Sequence, residues 1–142
     1  MSDAVENIAA FFENLTPLSV GRIREFYTDD AYFKDPFNEV RGHVEVQRIF
    51  EHMFHALQEP RFVVTARVVD GEQCFLSWDF HFRFKKFDSS VTQTIHGASH
   101  LKLAPDGRIR FHRDYWDAAE ELYEKLPLLG GLMRWLKKRA NA

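Results

Sequence analysis

The apolar residues of this chain change their period partway along it. Val46, Ile49, Phe50, Met53, Phe54 and Leu57 recur at the three- and four-residue spacing of a single helix face. From Arg61 the spacing becomes two, and Leu76, Trp78, Phe80, Phe82 and Phe84 alternate with Ser77, Asp79, His81 and Arg83. Five large apolar side chains on one strand face need a second layer to bury them, and amphipathic helices placed before the strands supply it. Helices first and long strands after limit the chain to an α+β fold with helices stacked on one side of a sheet.

The boundaries follow from capping and turn residues. Asp3 and Glu6 resemble a capping box, with Val5, Ile8, Ala9, Phe12 and Leu15 behind them at helical spacing. Thr16-Pro17 predicts a short second helix with Leu18, Ile23, Phe26 and Tyr27 on one face, ended by Asp29-Asp30. A short strand carries Asp35, and Pro60 is expected to close the third helix. Asp70-Gly71 joins strands over Phe62–Val69 and Cys74–Lys85, and a third strand covers about Val91–Leu103. Asp106-Gly107 leads into a fourth strand over Arg108–Trp116, and the tail predicts helices over Asp117–Leu126 and Leu128–Arg139. These strands, consecutive and hairpin-linked, predict a curved antiparallel sheet shaped as a cone, with the N-terminal helices on its concave face. At 142 residues this is a single domain, 1–142, with a core over about 3–117 and a helical extension over about 118–140.

Composition excludes several function classes. A net charge of -2 does not supply the basic face that nucleic-acid binding needs. No GxGxxG, phosphate-cradling glycine loop or paired Cys/His metal spacing occurs, so no nucleotide cofactor and no metal is expected. The single Cys74, in an apolar strand, is a small buried hydrophobe, and without a signal core at the N-terminus a cytoplasmic location is expected. Fourteen Phe exceed what a minimal core requires, which fits either dense packing or a lined cavity for a small apolar molecule.

Two places carry candidate chemistry. Asp35, between Phe33, Pro36 and Phe37, is flanked by apolar groups that would solvate it poorly, a setting in which carboxylates become effective proton acceptors. Asp-Pro is equally a common turn opener. Along the last strand, alternation sets His112, Asp114 and Trp116 on one face against Ile109, Phe111, Arg113 and Tyr115. His112 and Asp114 can share a proton, or can simply fix strand packing as a hydrogen-bonded pair. The alternation of Cys74–Phe84 turns Asp79 outward, and His96 and His100 likewise fall opposite the cavity.

The element order, the run Tyr32-Phe33-Lys34-Asp35-Pro36 before a Gly42-led helix, and Asp106-Gly107-Arg108-Ile109 leading into Asp114-Tyr115-Trp116-Asp117 resemble the nuclear transport factor 2-like superfamily and its SnoaL-like domains. The resemblance implies the cone fold, with the Trp116 face toward the cavity. In the ketosteroid isomerases of that superfamily the general base matches Asp35, while the two oxyanion donors fall on Phe11 or Phe12 and on Ser99, where no equally acidic donor stands. Its epoxide hydrolases and cyclases place an Asp where this chain has Asp114. The hydrolase Arg-x-Asp falls on Ser77-Trp78-Asp79, without the Arg.

The resemblance thus implies a small-molecule-binding domain, either an isomerase or lyase-type enzyme with Asp35, Asp114 and His112 as catalytic candidates, or a non-catalytic ligand-binding or dimerising module. The candidate ligand contacts are Phe11, Phe12, Phe33, Phe37, Phe54, Trp78, Ser99 and Trp116. An outer sheet face carrying Phe75, His81, Arg83, His96 and His100 predicts a homodimer. The C-terminal Leu128, Leu132, Trp135 and Leu136 with Arg134, Lys137, Lys138 and Arg139 favour packing on protein over contact with a membrane.

Overall fold

The structure is a computed structural model and describes residues 2–85, 89–121 and 138. Helix α1 (Ser2–Glu13), a 3-10 helix (Ser19–Glu25) and helix α2 (His43–Ala56) precede or interrupt six strands: β1 (Tyr27–Lys34), β2 (Glu39–Arg41), β3 (Leu57–Asp70), β4 (Gln73–Phe84), β5 (Gln93–Leu103) and β6 (Ile109–Tyr115). A short α3 (Ala118–Glu121) follows. The strands form one curved, unclosed sheet in the order β2-β1-β6-β5-β4-β3.

Helices on a curved sheet are what the change of period demanded, and the core lies between them. Val5, Ile8 and Phe12 of α1 and Val46 and Phe50 of α2 meet Leu76, Leu101, Leu103 and Ile109 of the sheet, all buried. Each fully buried side chain of this kind contributes roughly 1.5–3 kcal/mol. The Asp70-Gly71 hairpin forms with Gly71 at φ 60°, a left-handed turn conformation that costs glycine nothing.

The sheet is mixed rather than antiparallel throughout. Four strand contacts are antiparallel, but β1 and β6 run parallel, because β2, α2 and the β3–β6 meander bring the last strand back beside the first in the same direction. Alternation within a strand carries no information about which neighbour it takes.

Three local expectations are corrected. The segment after Thr16-Pro17 is a 3-10 helix whose three-residue turn buries Val20 and Ile23, while Leu18 is 92% exposed and Tyr27 opens β1. Pro60 does not close α2, which ends at Ala56; it sits in β3 within a register shift between Gln58 and Arg61, where a missing N–H disturbs no ladder bond. In β6 the partners change from Phe111↔Lys102 to Ile109↔Leu103, so Arg110 is an extra, bulged residue. The bulge reverses the alternation, and Ile109 is buried on the same side as His112 instead of opposite it. The helix expected over Leu128–Arg139, Lys138 apart, and the remainder of that over Asp117–Leu126 lie outside the described residues.

Candidate active site

A chain of buried polar groups runs through the sheet where β1, β4, β5 and β6 lie side by side. Tyr27, the first residue of β1, is fully buried, and its hydroxyl stands 2.6 Å from His112 Nδ1. His112 Nε2 stands 2.6 Å from Asp114 Oδ1, two residues along the same strand face. From the other side Trp78 Nε1 donates to Ser99 Oγ at 2.9 Å, and Ser99 Oγ donates to the same Asp114 Oδ1 at 2.5 Å. Ser99 and Asp114 are cross-strand partners in the β5–β6 ladder, which is why so short a side chain reaches the carboxylate.

The direction of each bond follows from the chemistry of its ends. A carboxylate only accepts, so His112 presents Nε2–H to Asp114 and its Nδ1 is left to accept from the Tyr27 hydroxyl. Burial first, and then the negative charge of Asp114, push the Tyr27 phenol well above its ordinary range, so it remains a donor. Two donor arms therefore converge on Oδ1. Among the described residues, Asp114 Oδ2 has no hydrogen-bond partner.

Around this carboxylate lies an apolar pocket. Phe12, Phe50, Phe62, Val64, Leu76 and Trp78 form its walls, and Ser99, His112 and Asp114 supply its polar side. The cavity volume is about 20 Å3, room for one water molecule. Trp78 lies flat across β5 because its cross-strand partner is Gly97; a Cβ there would fall 2.4 Å from the indole. The rings of Phe33 and Phe12 pack on His112 at 4.6 and 5.9 Å between centroids and fix its plane.

Of the residues singled out in the sequence, His112, Asp114, Phe12, Trp78 and Ser99 meet in this pocket, and the others do not line it. Asp35 opens the turn between β1 and β2. Its carboxylate accepts from the backbone N–H groups of Phe37 (2.8 Å) and Asn38 (2.7 Å) and from the Asn38 amide, so hydrogen bonds replace the apolar surroundings expected for it. Phe37 is half exposed with its ring edge on Trp116, Phe11 stacks on Phe26 in the core, and Phe33 lies behind His112. Phe54 borders a separate surface groove with Pro17, Val20 and Glu51. Trp116 packs beside the Trp78 and Phe80 cluster without entering the cavity. Asp79 points outward and pairs with His96 at 2.7 Å on the outer face.

Sequence reasoning missed Tyr27, placed on the face of a helix that ends, as a 3-10 helix, at Glu25. It also passed over Phe50, Phe62, Val64 and Leu76 as pocket walls, although Phe50 and Leu76 belonged to the periodic stripes that defined the helix and the strand.

The same architecture recurs in solved structures. A hypothetical protein of ketosteroid isomerase-like fold from Catenulispora acidiphila, solved with trimethylamine, is 14% identical with a TM-score of 0.70 over 84% of this chain and 88% of that one. An LEH-like epoxide hydrolase of M. tuberculosis is 15% identical with a TM-score of 0.68, over 95% and 90% of the two chains. A protein described as a SnoaL-like polyketide cyclase, from Jannaschia sp. CCS1, is 17% identical with a TM-score of 0.70, over 84% and 88%. At such identities the likeness shows the fold alone. No curated protein matches the sequence. The model of the SnoaL-like domain matches residues 8–112, most of the folded core as far as His112 in the last strand, and the chain therefore belongs to the SnoaL-like domain family.

Proposed function

We propose that this SnoaL-like domain binds a small, largely apolar molecule and acts on it as an isomerase- or lyase-type enzyme, with Asp114 Oδ2 as the proton acceptor. One observation carries the reading: both donor arms end on Oδ1, which holds the carboxylate in place and leaves the second oxygen without a partner among the described residues. A base fixed in an apolar pocket is placed for proton transfer. His112 positions it and Tyr27 positions His112. Asp35, committed to its turn, is not part of this reading. Likeness to structures described as an epoxide hydrolase and a polyketide cyclase supports small-molecule chemistry.

Mass spectrometry of whatever co-purifies with the protein names the substrate class. Conversion of that compound should fall roughly a hundredfold or more in Asp114→Asn, at an unchanged thermal midpoint. Equal turnover in a folded Asp114→Asn protein overturns the assignment. The narrowness of the cavity favours a second reading, a binding module without catalysis. In that case the co-purified compound is bound and never converted.

The outer sheet face supports the further proposal of a homodimer. Phe75, 45% exposed, stacks on His100 at 4.3 Å; His100 meets Phe111 at 5.5 Å, and Phe111 stacks on Tyr32 at 5.2 Å. This aromatic row crosses β4, β5, β6 and β1, and sedimentation of a monomer at micromolar concentration would count against its burial by a second copy. No described helix is long and apolar enough to cross a membrane.

A further inference from the structure

The polar hydrogens in and behind the pocket are all committed among the described residues. The Tyr27 hydroxyl serves His112 Nδ1, His112 Nε2–H and the Ser99 hydroxyl serve Asp114, and the Trp78 N–H serves Ser99. A ketone or ester oxygen entering the pocket would find no free donor among the described residues, whereas Asp114 Oδ2 offers an acceptor without a partner among them. The charge balance points the same way. Asp114 is a carboxylate between apolar walls, and no Lys or Arg is among the described residues lining the pocket. In the tautomer that lets the Tyr27 hydroxyl donate to Nδ1, His112 holds Asp114 by a hydrogen bond and brings no second charge. A carboxylate desolvated without a counter-charge is costly, and a ligand that supplies one relieves that cost.

We infer that the pocket takes a primary ammonium group carried on a small apolar body. The inference rests on the reading of Asp114 Oδ2 as the pocket's free oxygen among the described residues and goes on to name the group that hydrogen-bonds to it in the bound molecule, an ammonium that keeps its proton. Size agrees, since the cavity of about 20 Å3 admits one water and –NH3+ fills a similar space. So do the walls: Phe12, Phe62 and Trp78 present aromatic rings beside the carboxylate, and such rings attract cations. Asp114 keeps 17% of its side chain exposed, so a head group can reach it from outside.

Three probes of one frame separate the alternatives. Benzylammonium, benzyl alcohol and benzoate are titrated into the full chain at pH 7 by calorimetry, with Asp114→Asn, checked for an unchanged thermal midpoint, as the comparison. Benzylammonium should bind at least about tenfold more tightly than the alcohol, benzoate should be excluded, and Asp114→Asn should bring ammonium and alcohol to within about twofold. Alcohol or benzoate binding as well as the ammonium, or no probe binding, overturns the inference. If the alcohol equals the ammonium and Asp114→Asn weakens both, the inference falls while Asp114 stands as the acceptor. If Asp114→Asn changes neither probe binding nor turnover, both fall.

Discussion

The hydroxyl of Tyr27 stands 2.6 Å from Nδ1 of His112, a buried bond between residues 85 apart in the chain. Through it the first long strand donates to the imidazole nitrogen that faces away from Asp114. Replacing Tyr27 with Phe keeps the ring and removes that donor. His112 in the native protein should show the Nε2–H tautomer in nitrogen-15 NMR spectra, and so should Tyr27→Phe, because the Asp114 carboxylate only accepts. The buried Nδ1 left without a donor should cost about 1–3 kcal/mol in urea unfolding. A mixture of tautomers in the variant would show that Tyr27 shares in fixing the ring.

The same phenol makes stability fall at alkaline pH. Burial, and then the charge of Asp114, raise its proton affinity in the folded state well above that of an unfolded tyrosine, which titrates near pH 10. Above that pH the unfolded chain gives up the proton while the folded one keeps it, so unfolding gains ground. The stabilisation is whole below about pH 10 and drains away as pH climbs from there toward the folded-state value. Denaturant midpoints measured from pH 8 to 11 should fall more steeply for the native chain than for Tyr27→Phe. Parallel curves would mean that the phenol ionises alike in both states.

Gly97→Ala should be among the more damaging single-methyl additions available. The new Cβ would meet Trp78 at 2.4 Å, so the indole must leave its place across β5 and its N–H must leave Ser99. Overpacking of this kind costs about 1–3 kcal/mol, readable as a lowered urea midpoint. Probe binding in the pocket should weaken as well, because the displaced ring moves against a cavity with room for one water. A variant as stable as the native chain would mean that the indole has somewhere else to go.

Asp35→Ala should loosen the turn between β1 and β2 and leave the pocket untouched. Among the described residues its carboxylate receives N–H donors only from Phe37 and Asn38, both local. A loss of about 1 kcal/mol in stability with unchanged probe affinity is expected. Lost binding at unchanged stability would return Asp35 to the site.

What the sequence disclosed and what it hid divide along a physical line. Strand alternation made Trp78 legible as an inward residue and set His112 and Asp114 on one face, while the superfamily resemblance turned that face toward the cavity and singled out Ser99. The parallel pairing of β1 with β6 was not legible, since alternation is blind to neighbours. Ile109 was assigned to the wrong face because a bulge at Arg110 is one residue long and leaves no apolar signature. Tyr27 was hidden for a related reason: its partner lies 85 residues away, and the Phe26-Tyr27 pair fitted a helical stripe as well as it fitted a strand start. Asp35 shows the converse error. Apolar neighbours in sequence did not become apolar neighbours in space, because a turn aimed their rings away and its own N–H groups at the carboxylate.

The position of β6 between β1 and β5 also orders the assembly of the site in time. A ribosome delivers β1 through β5 first, and until residues 109–115 emerge both β1 and β5 are open edges with unpaired backbone groups. Tyr27 then has no imidazole to face, and Ser99 no carboxylate. The last strand therefore acts as a wedge that closes two edges and completes the polar chain in one event, so a nascent or truncated chain lacking it carries the apolar walls of the pocket without the group that gives them a purpose.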